Sequence, residues 1–314
     1  MTAAAGAVAT HWLEDGPLRL GAIPRGGRLT WLSVDGGPNL LWANPPEAQA
    51  RLAAAGQWRN PGGDKFWPSQ QCQWPVSHGD MEITALGSDG QDWEVSVAGG
   101  ELTMRSPFQP ALSARLERRA RLDGAARALT VVNAIVREEA SPFPVHCWNV
   151  TQIPVPARLG LALAPYPGQP AHRVFPQMPL RGWRRLAGQG LTLEQMRERF
   201  QAMREAARAE LAASLTLAPD GRSLVCDPGA LTGNHKLGAF GTAVWAEAAG
   251  LRLRQEVKLE TGACYPDGAN LELFLGIGRE EGPYCELECL SPNVHLRPGE
   301  RLEQTVVTTI ERTA

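Results

Sequence analysis

Basic residues are not in excess in this chain: 31 Lys and Arg face 33 Asp and Glu, a net charge of -2. That balance leaves no electrostatic footprint for nucleic acid or for an anionic membrane surface, so neither is an expected partner. No segment approaches the roughly 20 uninterrupted apolar residues that cross a bilayer. The start, MTAAAGAVATHWLEDG, has neither a basic stretch nor a continuous apolar run, and does not read as a signal peptide. Six cysteines in 314 residues are too few for a disulfide scaffold. Cys285 and Cys289 lack zinc-knuckle spacing and a second ligand pair, so no metal site is expected. Buried free thiols in a reducing cytoplasm are the expectation instead. There is no glycine-rich phosphate loop before a helix, no Gly-x-Ser-x-Gly elbow and no His-Glu-x-x-His run. Tyrosine and phenylalanine are scarce as well, three and seven.

What is abundant is glycine (33), proline (25) and tryptophan (10), spread along the chain rather than gathered in a linker. Short strand-like runs separated by turn residues fill most of the sequence. LRLGAIPRGGRLTWLSVDGGPNLLWANP reads as three such runs, and DWEVSVAGGELTMRSP as a hairpin about Gly99-Gly100. ARLERRARLDGAARALTVVNAIVREE reads as two long strands meeting at Asp123-Gly124. Repeated antiparallel strands predict a mainly β sandwich or barrel rather than a βαβ fold. With no internal repeat or low-complexity tail, residues 1–314 read as one domain. Indoles in such a chain serve a large core or a ligand groove.

One stretch has the helical period. LTLEQMRERFQAMREAARAELAAS places Met196, Phe200, Met203, Ala207 and Leu211 on one stripe, with Thr192 as N-cap and Gln195 closing a capping box. An amphipathic helix over residues 192–213, inserted on the outside of the sheets, is expected. A second helix is expected over residues 45–56.

The run YCELECLSPNVHLRPGE poses the functional question. In a strand, Cys285, Leu287 and Cys289 share one face, and Glu286 and Glu288 the other. The carboxylate face is either open solvent or the floor of a polar groove. The run GGDKFWPSQQCQWP is a second polar cluster. After the Gly62-Gly63 turn, Asp64, Lys65, Trp67 and Gln70 offer charges and amides beside an aromatic plane, a combination suited to a pyranose, and equally a surface turn over a buried indole.

Together, GGRLTWLSVDGGPNLLWANP, NPGGDKFWPSQQCQWP, WNVTQ, YPDGANLELF and YCELECLSPNVHLRPGE resemble an uncharacterised family of the galactose-mutarotase-like superfamily. The resemblance implies a β-supersandwich with a long concave groove that holds a sugar in characterised relatives. It also implies a general base in a Leu-Glu-Thr-like run before a Pro-Gly-Glu turn. Leu287-Glu288-Cys289 followed by Arg297-Pro298-Gly299-Glu300 is similar, and selects Glu288 over Glu286. The relatives' acid histidine matches Gln152 here, and a neutral amide has no proton to give at neutral pH. His146, on the same strand face as Trp148 and Gln152, is the replacement donor, or a histidine packed beside Trp148. Lys65 takes the place of a sugar-binding arginine, and His235 with Lys236 falls at a ligand loop. Two functions stay open: a sugar 1-epimerase with Glu288 as base and no cofactor, and a carbohydrate-binding or sensing protein that kept the groove and lost the acid.

Overall fold

The computed structural model describes residues 9–54, 60–69, 87–175, 190–279 and 282–313. Among these, nineteen strands form two antiparallel sheets. The first runs, in spatial order, β1 (His11–Asp15), β2 (Leu18–Ile23), β3 (Arg28–Val34), β4 (Asp64–Trp67), β9 (Trp148–Ile153), β18 (Tyr284–Leu290), β17 (Leu271–Gly276), β14 (Asn234–Ala239) and β11 (Arg173–Phe175). The second begins with β12 (Leu215–Leu217), β13 (Ser223–Cys226), β10 (Arg158–Leu163), β15 (Gly241–Ala248) and β16 (Leu251–Val257). It continues through β19 (Arg301–Arg312), β8 (Ala128–Arg137), β7 (Ala114–Asp123), β6 (Glu101–Arg105) and β5 (Glu94–Ala98).

The expected hairpins form where turn chemistry put them. Gly99 and Gly100 both take positive φ between β5 and β6, as a two-residue turn requires. Strands β7 and β8 pair over ten residues each. Of the three runs expected between residues 18 and 45, two are β2 and β3. The third forms no strand: Leu40 and Leu41 lie in a bend, Ala43 makes a single bridge to Gly62, and the Trp42 N–H donates to Gln152 O at 2.9 Å.

Strand alternation builds the core. Cys285, Leu287 and Cys289 of β18 pack between the sheets with Leu271, Leu273 and Leu275 of β17 and Leu237 of β14, all essentially inaccessible. Cys147, Cys226, Cys285 and Cys289 are buried free thiols and Cys264 is an exposed one.

The same layer holds a buried ionic knot. Asp64 of β4 is ion-paired to Arg118 of β7, and accepts from Asn149 Nδ2 at 2.8 Å and from Thr151. Arg118 also donates to Asn133 Oδ1 at 2.8 Å, and Gln255 donates to Thr151 at 2.8 Å. The knot ties β4 and β9 of one sheet to β7, β8 and β16 of the other.

Helix α1 covers Pro46–Ala54 and α2 covers Leu193–Ala212. Both halves of the α2 capping box are present: Gln195 N donates to Thr192 Oγ1, and Thr192 N to Gln195 Oε1. Leu211 is buried and Ala207 packs on the core. The helix lies at β11, the edge of the first sheet, and leads through Ser214 into β12, the edge of the second. It therefore caps an edge rather than an open sheet face, shielding strands that would otherwise offer unpaired backbone.

Candidate functional site

Directly opposed residues of an antiparallel ladder share a face, so register alone assembles the outer face of the first sheet. One row reads Lys236, Phe274, Glu286 and Gln152. The next reads Gly238, Glu272, Glu288, Val150 and Lys65. A third brings Leu290, Trp148 and Trp67 together. The backbone that delivers β4 depends on two glycines. Gly62 (φ +89°) and Gly63 (φ +80°) leave room for Cβ atoms only 2.2 Å from Trp42 O and Leu29 O, closer than any side chain tolerates.

Two lysines and three carboxylates interlock across these rows. Lys236 Nζ lies 2.7 Å from Glu272 Oε2 and 2.9 Å from Glu288 Oε2. The Trp148 indole N–H donates to the same Glu288 oxygen at 2.7 Å. Lys65 Nζ lies 3.4 Å from Glu286 Oε1, which also accepts from Gln152 Nε2 at 2.7 Å. Aromatic clusters close both ends. Trp67 and Trp148 meet edge to face at 5.2 Å, with Lys65 Nζ 3.8 Å from the Trp67 ring centroid and Lys236 Nζ 4.6 Å from that of Trp148. Trp42, Phe274 and Tyr284 form the other end, Trp42 and Tyr284 at 4.4 Å.

The array is deeply desolvated. Glu288 is 0 % exposed and Glu272 1 %, whereas the Lys236 and Glu286 side chains keep 16 % and 12 %, so solvent reaches it past those two. Glu288 Oε1, Glu272 Oε1 and Gln152 Oε1 are buried with no hydrogen-bond partner among the described residues. Three unanswered acceptors in one buried array are costly unless a ligand or water supplies donors.

Burial pulls the Lys65 ammonium below its ordinary pKa, against the opposing pull of Glu286. Burial acts on Lys236 too, but Glu272 and Glu288 outweigh it and hold that ammonium above its usual range. Burial pushes the Glu272 carboxyl up to about 8, with Lys236 opposing and Glu288 reinforcing. Glu286 resists the same desolvation because Lys65 and the Gln152 amide hold its carboxylate down.

Glu288, Glu286, Lys65, Trp67, Trp148, Gln152 and Lys236 thus converge, as the sequence suggested. Asp64 does not. It begins a strand rather than sitting in a loop, so alternation turns it away from Lys65 into the ionic knot between the sheets. His235 is likewise turned from its neighbour Lys236; its Nε2 lies 3.0 Å from Glu210 of α2. His146 is fully buried, its Nδ1 2.9 Å from Asn293 Oδ1 and its ring 6.3 Å from that of Trp148. It lies four positions before Val150 of the Glu288 row, about 13 Å along an extended chain, and Trp148 stands between. Desolvation lowers it to about 4, so near neutrality it is a neutral imidazole and not an imidazolium acid. Gln70 lies outside the described residues.

Glu272, Trp42, Phe274 and Tyr284 were not singled out from the sequence. For Glu272 a signal existed: one carboxylate amid apolar neighbours in Asn-Leu-Glu-Leu-Phe, the pattern that flagged Cys-Glu-Leu-Glu-Cys.

No protein-family model matches the sequence, and no curated protein does. Solved structures do match. A galactose mutarotase-like protein from Lactobacillus casei superposes with a TM-score of 0.60 at 12 % identity, over 96 % of this chain and 100 % of that one. A candidate aldose 1-epimerase from Escherichia coli K12 gives 0.58 at 14 %, over 98 % and 100 %. A galactose 1-epimerase from Lactobacillus acidophilus gives 0.54 at 15 %, over 98 % and 100 %. At such identities the likeness establishes a shared fold.

Proposed function

We propose that this chain, whose fold is that of the galactose mutarotase-like proteins, binds a sugar on the outer face of its first sheet and interconverts the sugar's anomers with Glu288 as general base. The observation that carries the reading is the state of Glu288: central, buried, one carboxylate oxygen fixed by Trp148 and Lys236, the other without a partner among the described residues. A fixed carboxylate with a free oxygen is prepared to accept a proton from an anomeric hydroxyl. An acid protonates the ring oxygen as the C1 to ring-oxygen bond breaks. Rotation about C1–C2 and reclosure give the other anomer. The indoles at one end of the array offer stacking surface for C–H faces, and the amides and charges meet hydroxyls.

A second reading, a sugar-binding protein without catalysis, is favoured by Gln152 standing where the relatives' acid histidine is matched, and by the neutrality of His146. Exchange NMR on free aldoses separates the two. The enzyme reading expects anomer exchange above the buffer rate, reduced about 100-fold or more by Glu288→Gln with sugar affinity nearly kept. Saturable binding with exchange at the buffer rate supports the second reading and excludes the first.

A further inference from the structure

Gln152 cannot transfer a proton and His146 is a neutral imidazole near neutral pH, so neither is the acid of the anomerase reading. The described titratable groups facing the array are Lys65 on β4, Glu272 on β17, Tyr284, Glu286 and Glu288 on β18, and Lys236 on β14, with Arg279 over the Phe274 and Tyr284 rings and acting on Glu286. Tyr284 packs against Trp42 and lies four positions from Glu288 along β18, about 13 Å away. Asp267, in the turn before β17, adds negative charge near Glu272. Arg173 on β11 stands beyond Gly238 and is engaged by Gln169. Lys236 is clamped between two carboxylates and holds its proton more tightly than a free lysine. Glu286 is kept ionised by Lys65 and Gln152. Lys65 sits two strands from Glu288, its ammonium over the Trp67 ring and beside Glu286.

Glu272 differs from all of these. It is the direct cross-strand partner of Glu288, which places their Cβ atoms about 4.5–5.5 Å apart. The two share Lys236 through their Oε2 atoms, and each keeps a buried Oε1 without a partner among the described residues. Burial outweighs Lys236, which favours ionisation of Glu272, and with Glu288 disfavouring it as well raises the Glu272 carboxyl to about 8, so it holds its proton at neutral pH. The two oxygens that exchange protons in anomerisation are both bonded to C1, so an adjacent carboxyl pair reaches both from one side.

Resting on the anomerase reading above, we infer that Glu272 is the proton donor of this site, working as one carboxyl pair with Glu288. Glu288 removes the proton from the C1 hydroxyl while Glu272 gives its proton to the ring oxygen. The C1 to ring-oxygen bond breaks, its electron pair staying on the ring oxygen, and an open-chain aldehyde results. After rotation, the new hydroxyl returns its proton to Glu272 as it attacks C1. Glu288 gives its proton to the aldehyde oxygen, and both groups are restored with no external reactant. Lys236 sets the spacing of the pair and balances its single charge.

The test uses the full-length protein with D-galactose and D-glucose as probes. Glu272→Gln keeps the shape but removes the transferable proton. Anomer exchange should fall at least about 100-fold with sugar affinity within a few-fold. The alkaline decline of the wild-type rate, expected near the Glu272 value of about 8, should disappear in what remains. Carboxyl carbon NMR of the wild type, assigned with the variant, should show Glu272 protonated at pH 6, a readout independent of turnover. A variant with near-normal exchange, or Glu272 ionised at pH 6 while exchange proceeds, overturns the donor and leaves the anomerase reading standing. Wild-type exchange at the buffer rate removes the reaction itself, and the donor with it.

Discussion

At the residue scale, the site turns on how burial treats each titratable group. His146 has two candidate roles in the sequence, acid or packed neighbour of Trp148, and the fold selects packing. Its pKa falls from 6.5 to about 4 on folding. The unfolded chain therefore binds the proton first as pH drops. Stability from this group is full above about pH 6.5 and is lost between there and about pH 4, by up to about 3 kcal/mol. Urea unfolding across that window should show the loss, and His146→Gln should flatten it. A wild-type curve with no such slope would contradict the assignment. Glu272 carries the opposite sign: its raised value gives stability that is full below about pH 4.5 and declines as pH rises towards about 8. Composition showed neither shift, because each depends on neighbours brought from distant parts of the chain.

At the element scale, parity was the most legible feature and also the source of the errors. Reading β18 as a strand separated Cys285, Leu287 and Cys289 from Glu286 and Glu288 correctly. In the sequence, Asp64–Lys65 reads as a polar cluster after a turn and His235–Lys236 as a ligand loop, each pair sharing a site. Both lie on strands, β4 and β14, and alternation sends one member of each pair away. The misassigned Asp64 supports a different expectation, since its carboxylate lies between the sheets with Arg118. Arg118→Met would leave that charge buried and uncompensated, at a cost of about 3–5 kcal/mol. Chemical denaturation reads it directly, and a loss under about 1 kcal/mol would show that the knot contributes little. The α2 helix was legible through its stripe and capping box, but its seat at β11 depends on which strands end the sheets, which no local pattern encodes.

At the scale of the whole molecule, turn spacing predicts a mainly β sandwich or barrel, and the motif resemblance supplies the supersandwich. What stayed hidden was which strands lie side by side. The row joining Glu272 to Glu288 requires β17 next to β18, and the row joining Lys65 to the carboxylates requires β4 beside β9. Lys65 and Lys236 are each paired with carboxyl groups of the array, and Arg279 stands at its aromatic end over Phe274 and Tyr284.

Both functional readings share one claim, that the sugar sits against Glu288 on this face. The Trp148 indole N–H, bonded to Glu288 at 2.7 Å, reports on it directly. Nitrogen-15 NMR of tryptophan-labelled protein, assigned with Trp148→Phe and titrated with D-galactose and D-glucose, is the deciding measurement. A saturable shift of the Trp148 indole resonance, with Trp67 responding alongside it, is predicted. A sugar that binds while both indole resonances stay fixed, or no binding of either sugar at tens of millimolar, would contradict the account.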